Sequence, residues 1–126
     1  MLFRSVNRLG ELERAIMDVL WESDTQLTVR QVGSRLTDRD LAHTTVMTVL
    51  DRLAKKGFAR RERDGRAWLY RAAASREAYV TELMLFALDQ TGDRSAALAS
   101  FARRVSGNEA RVLRRALETG GDPARS

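Results

Sequence analysis

Apolar residues recur at helical spacing along residues 11–23. Leu12, Ala15, Ile16, Val19 and Leu20 follow the i, i+3, i+4, i+7, i+8 rhythm of one buried stripe, with Trp21 near its end as a core plug. The stretch SDTQL reads as a turn with a short extended piece. Thr28 then sits as the cap of a second, shorter helix whose Val29, Val32 and Leu36 share a face. Gly33 inside that helix costs about 1 kcal/mol relative to alanine, which a close crossing with another helix would explain. After the polar connection TDRDLAH, a third helix is predicted over residues 44–56. Val46, Val49, Leu50 and Leu53 point inward, Lys55 and Lys56 complement the negative helix end, and Gly57 stops it.

The period changes next. Residues 58–63 and 66–72 flank Asp64 and Gly65, a pair that favours a type I′ hairpin turn, in which both central residues need positive φ. Two strands alone are marginal in water. The hairpin is therefore expected to lean on the helices through Phe58, Leu69 or the rings of Trp68 and Tyr70. Helical spacing returns after Ser75 and continues to about Gln90. Here Tyr79, Leu83 and Phe86, together with Val80, Met84 and Leu88, make more than one apolar stripe, too broad for a helix with a single buried side. Breaks at Thr91, Gly92 and Asp93 and at Ser106, Gly107 and Asn108 set off two further helices. One carries Ala97, Leu98, Phe101, Ala102 and Val105, the other Val112, Leu113, Ala116 and Leu117. GGDPARS reads as a frayed tail.

Charge sharpens this picture. The chain carries a net +5, yet residues 52–71 hold eight cations against two anions, a local +6 that leaves −1 for all the rest. A patch this local is a footprint for a polyanion, nucleic acid or anionic membrane, although a charge run alone is as often a solvated face. With no cysteine, disulfides, thiolate metal sites and thiol nucleophiles are excluded. MLFRSVNRLGELERA has no long apolar run and nothing is long enough to span a bilayer, so a cytoplasmic protein without membrane insertion is expected. The lone histidine, His43, has no metal-ligand spacing around it. Asp38, Asp40 and Asp51 read as caps and surface charges, and neither catalytic constellations nor phosphate-binding glycine motifs occur. No enzyme, metal or cofactor is implied.

Three helices, a basic two-strand hairpin and a helical extension are the layout of a winged helix-turn-helix. The expected fold is mainly α with a small β-hairpin: a DNA-binding domain over residues 9–73, a helical dimerisation domain over 74–120 and a flexible tail at 121–126. On the third helix, Thr45, Thr48 and Arg52 lie about 130° from the apolar stripe, with Thr44 and Lys55 beside them. Threonine can bond a base edge and pack its methyl on thymine, and Arg52 and Lys55 suit flanking phosphates. Thr28, at the start of the helix that crosses the backbone, and Arg60 and Arg66 of the hairpin complete the expected DNA contacts. The over-apolar C-terminal helices need a second copy. Tyr79, Leu83, Phe86, Leu98, Phe101, Val105, Leu113 and Leu117 are the expected dimer residues, and a two-fold dimer suits a palindromic duplex.

These residues also resemble a known family, the BlaI/MecI-type penicillinase repressors of bacteria. LGELERAIMDVLWE is similar to the family's opening helix, TTVMTVLDRLAKKGFARRERDGRAWLYRA to its recognition helix and wing, and AALASFARRVSGNEARVLRRALE to its dimerisation segment. The resemblance implies a homodimeric, sequence-specific repressor of resistance or stress genes. It also implies release from operator DNA when a membrane-linked sensor protease pathway cuts the dimerisation segment. The matching position here is the bond between Ser100 and Phe101, where the family often has Asn in place of the serine. Residues 1–8 precede the family's usual start, as a disordered or added arm. The competing reading is a protein-interaction adaptor that uses a winged-helix scaffold without specific DNA binding. Membrane-surface binding through the hairpin ranks below it, for want of a suitable basic amphipathic helix.

Overall fold

The computed structural model describes residues 9–120; the expected arm at 1–8 and the tail at 121–126 lie outside them. In chain order the elements are α1 (Glu11–Glu22), β1 (Leu27–Thr28), α2 (Val29–Ser34), α3 (His43–Lys56), β2 (Ala59–Asp64), β3 (Ala67–Ala72), α4 (Arg76–Leu88), α5 (Arg94–Arg104) and α6 (Gly107–Thr119). They divide into two compact units, one ending at Phe86 and one beginning at Ala87. The fold is mostly helical with one small antiparallel sheet, and in the first unit it has the winged helix-turn-helix order expected from the sequence.

The core of the first unit is built from the stripes that the periodicity marks. Ile16 and Leu20 of α1, Val32 of α2, and Val46, Val49, Leu50 and Leu53 of α3 are all buried. Met17, outside the predicted stripe, is fully buried as well. Thr28 caps α2 as expected: its hydroxyl accepts from the Gln31 amide at 3.1 Å, while the Gln31 side chain accepts from the Thr28 amide at 2.8 Å. Gly57 ends α3 in the left-handed region at φ 90°, and its neighbour Phe58 returns an amide to the Leu53 carbonyl at 3.0 Å.

Gly33 does not need to be glycine for packing. A Cβ built there meets Val46 Cγ2 at 3.8 Å, an ordinary contact, so the α2–α3 crossing leaves room for a methyl. Gly33→Ala is expected to raise stability by about 0.5–1 kcal/mol through helix propensity and a less mobile unfolded chain. A lower midpoint in urea denaturation would show the crossing to be tighter than this distance implies.

The hairpin differs from expectation by one position. Asp64 pairs with Ala67, so the central turn residues are Gly65 and Arg66. Gly65 has φ 63° and no other residue of the turn is positive, the sign pattern of a type II′ turn in place of type I′. Arg66 therefore sits at the wing tip. The sheet also has a third strand: β1 pairs with β3, Leu27 opposite Tyr70 and Thr28 opposite Leu69, giving the order β1-β3-β2. This short strand is how the hairpin escapes isolation, with Phe58, Ala59 and Tyr70 as its buried anchors. Leu69 is only half-buried.

One ion pair ties α1 to the end of α3. Lys56 Nζ lies 2.9 Å from Glu13 Oε2, and Glu13 Oε1 accepts from the Gly10 amide at 3.0 Å. Burial works to raise the Glu13 carboxyl, but the Lys56 ammonium, the Gly10 amide and the charge of Arg52 together hold its pKa below the usual carboxylate range. A lowered folded pKa contributes stability that is fully present above the unfolded value and is lost as pH falls through the folded one. Wild-type stability is thus expected to decline on acidification below about pH 4.3, and Glu13→Gln to lack that share of the decline. Identical acid limbs in denaturant titrations of the two proteins would contradict this.

Tyr79, expected at a dimer surface, is instead a core residue with 2% exposure. Its ring lies 5.5 Å from that of Trp21 and edge-on to Phe58 at 5.8 Å, and its hydroxyl accepts from the Leu9 amide at 2.9 Å. The first turns of α4 therefore belong to the N-terminal unit. Trp21 is half-buried, its Nε1 donating to the Ala74 carbonyl at 2.9 Å.

Helices α5 and α6 belong to the second unit. Asp93 caps α5 through the Ala96 amide, and Ser106 with Glu109 forms a capping box on α6. No described residue of either helix is buried. Leu98, Phe101, Leu113 and Leu117 are exposed, Leu117 by 67%, and Val105 is half-buried. On α4, Leu83 and Phe86 are half-buried, whereas Val80, Met84 and Leu85 are exposed. In the second unit Val112 on α6 is exposed as well.

Candidate nucleic-acid interface

The outward side of α3 is set by its inward one. With Val46, Val49, Leu50 and Leu53 buried, Thr44, Met47, Thr48, Arg52 and Lys55 are exposed. Thr45 is half-buried, so it lies at the margin of the expected reading face and the centre shifts toward Thr44, Thr48 and Lys55. Thr44 and Thr48 are one helical turn apart and present hydroxyls in the N-terminal half, with the cations of Arg52 and Lys55 following.

The hairpin is joined to this helix by charge. Asp51 of α3 accepts from Arg61 of β2 at 3.1 Å and pairs with Lys55 at 3.2 Å. Asp51, expected as a surface charge, is thus the partner of a wing arginine that the sequence places against phosphate. Strand alternation puts Arg61 and Arg63 on the same face as Trp68 and Tyr70. Both guanidinium groups stack on Trp68, 4.2 Å and 5.0 Å from the ring centroid. The crowding of like charge is therefore partly accommodated inside the protein: two of the wing arginines are spread over an indole, and one is also neutralised by a carboxylate.

The others are not. Among the described residues, Arg30, Arg52, Arg60, Arg66 and Arg71 have no carboxylate within salt-bridge distance. Arg60 and Arg71 even stand directly opposite each other in the β2–β3 pair, an arrangement that costs stability. Arg60 lines a shallow cleft between the wing and α3 together with Asp51, Ala54 and Lys55, and Arg66 stands at the wing tip. Arg30, not among the expected DNA contacts, lies in the first turn of α2, two residues after Thr28. The Thr28 hydroxyl, already an acceptor in the cap, keeps its proton for donation to an anion.

A cleft of ≈ 380 Å³ lies between the start of α2, the start of α3 and the wing, lined by Thr28, Val29, Arg30, His43, Met47 and Arg66 with Trp68 and Tyr70. Its rim is cationic and hydroxylic and its floor apolar. Among the described residues no group of three or more His, Cys, Asp or Glu side chains could hold a metal ion, and no helix is long and apolar enough to cross a membrane.

Comparison with known proteins shows what the chain is similar to. The family described as "Penicillinase repressor" matches residues 9–119. Two curated relatives, each named "Transcriptional regulator BlaI" and coming from Mycobacterium tuberculosis strains CDC 1551 / Oshkosh and ATCC 25618 / H37Rv, are 52% identical over 116 residues, covering 89% of this chain and 84% of theirs. A solved structure of a MarR family protein from Bacillus stearothermophilus has a TM-score of 0.48 at 23% identity, over 87% of this chain and 71% of that one. The match spans helices, wing and C-terminal segment together, and the chain belongs to the penicillinase repressor family.

Proposed function

We propose that this protein is a cytoplasmic transcriptional repressor that binds double-stranded operator DNA as a homodimer, controlling genes of the antibiotic-resistance class that the family description implies. It acts by binding and not by catalysis. The observation that carries the reading is the outward side of α3: two threonines one turn apart, flanked by cations, beside a wing whose tip arginine has no carboxylate partner. In this reading α3 lies in the major groove. Thr44 and Thr48 touch base edges, with Thr45 at the margin, while Arg52, Lys55, Arg66 and the Thr28 hydroxyl take phosphates. Arg60, beside Lys55 in the cleft between the wing and α3, takes a flanking phosphate. Leu98, Phe101, Val105, Leu113 and Leu117 of the second unit, and Leu83 and Phe86 of the first, take part in self-association. Release follows proteolysis between Ser100 and Phe101 by a membrane-linked sensor protease pathway. Both residues lie within α5, so that helix must open locally before a protease can take the bond.

The test is duplex binding as a function of salt. Affinity should fall on a log–log plot with a slope of about −0.9 per neutralised phosphate, and Arg66→Ala should make the slope shallower by about 0.9 per bound protomer, equally for all sequences. Absence of duplex binding even at low salt would favour the adaptor reading.

A further inference from the structure

We infer that Met47 reads the C5-methyl group of a thymine, and so supplies part of the sequence preference of α3. The inference rests on the DNA-binding reading above and adds a specificity residue to it. Every other exposed side chain on the outward side of α3 after Ala42 is polar or charged: His43, Thr44, Thr48, Arg52 and Lys55. Met47 is the exception, 42% exposed, whereas Met17 in α1 is fully buried. It does not belong to the inward stripe of Val46, Val49, Leu50 and Leu53, so the core does not account for it.

Its surroundings indicate what covers it. Met47 lines the cleft whose apolar wall is Val29, Trp68 and Tyr70 and whose rim carries Arg30, Arg66 and the Thr28 hydroxyl. Arg30 and Arg66 have no carboxylate partner among the described residues. Such a site suits a ligand with anionic groups outside and a small apolar group inside. Duplex DNA offers that combination in the major groove, where the thymine methyl is the apolar feature of the base edges and phosphates line the walls. Arg30 on α2 and Arg66 on the wing line the same cleft as Met47, so phosphate-binding cations accompany the apolar side chain. The flexible, polarizable thioether adapts to a methyl better than a branched chain would.

The experiment selects duplexes from a random pool with the wild-type protein, then resynthesises the recovered sequence with each thymine replaced singly by uracil. Uracil keeps the Watson–Crick face and removes only the methyl. At one position in each half-site, uracil should weaken wild-type binding about fourfold, the worth of one buried methyl-sized group. Met47→Ala should bind the thymine and uracil duplexes alike at that position and keep the uracil effects found elsewhere. Met47→Leu, apolar and of similar volume, should retain the discrimination, which separates base reading from a folding defect. The inference is overturned if Met47→Ala still discriminates there, or if wild type is indifferent to every uracil. In both cases the DNA-binding reading stands. Recovery of no duplex at all would remove that reading and this one with it.

Discussion

Tyr79→Ala is expected to lower the free energy of unfolding by about 3–5 kcal/mol, the range for deleting a large buried aromatic side chain. Tyr79 is 2% exposed and fills the space between Trp21 and Phe58. Alanine leaves a cavity there, breaks the aromatic contacts and strands the Leu9 amide that the hydroxyl now receives. Tyr79→Phe removes only the hydroxyl and should cost about 0.5–1.5 kcal/mol, which isolates the hydrogen bond. Urea denaturation followed by tryptophan fluorescence reads both, because Trp21 is in contact with the altered ring. A change in self-association with the unfolding midpoint untouched would return Tyr79 to the dimer surface and refute its place in the core.

Thr48→Ala is expected to remove about 1–3 kcal/mol of discrimination at one base pair of each half-site, with little loss of affinity for random duplex. Thr48 is exposed in the middle of α3, one turn beyond Thr44. Its hydroxyl and methyl have no structural duty that would confuse the measurement. Alanine is also the better helix former, so the variant should be at least as stable as the parent. Competition between the selected duplex and random duplex gives the ratio directly. An unchanged ratio would move the reading face elsewhere on α3.

The Arg61–Asp51 link bears on both experiments. It adds to the buried anchors Phe58, Ala59 and Tyr70 in holding the wing against α3, through one carboxylate that also pairs with Lys55. The wing tip and the threonines are thereby presented by one unit whose geometry exists before DNA arrives, which reduces the ordering cost of binding. The arginines stacked on Trp68 serve this arrangement. The positive charge they add remains near the surface while their planes are spent on the indole.

What the sequence by itself determined is what local spacing encodes. The stripes of α1, α2 and α3, the Thr28 cap, the stop at Gly57 and the two-faced hairpin each depend on residues within a few positions of one another, so composition and period suffice to place them. The family, too, was legible from contiguous wording. Tertiary structure alone decided the rest. Strand β1 is two residues long, too short for any period, and exists only because Tyr70 and Leu69 lie opposite. The turn moved from Asp64 and Gly65 to Gly65 and Arg66 because the register Ala59–Ala72 closes the ribbon there. Tyr79 went inward because the rings of Trp21 and Phe58, far from it in sequence, form its pocket, and the Leu9 amide, 70 positions away, satisfies its hydroxyl. Met47 stayed exposed, and Asp51 turned to Arg61, for the same reason: a side chain's exposure and partner depend on what lies beyond its own helix, and a local pattern carries no record of that.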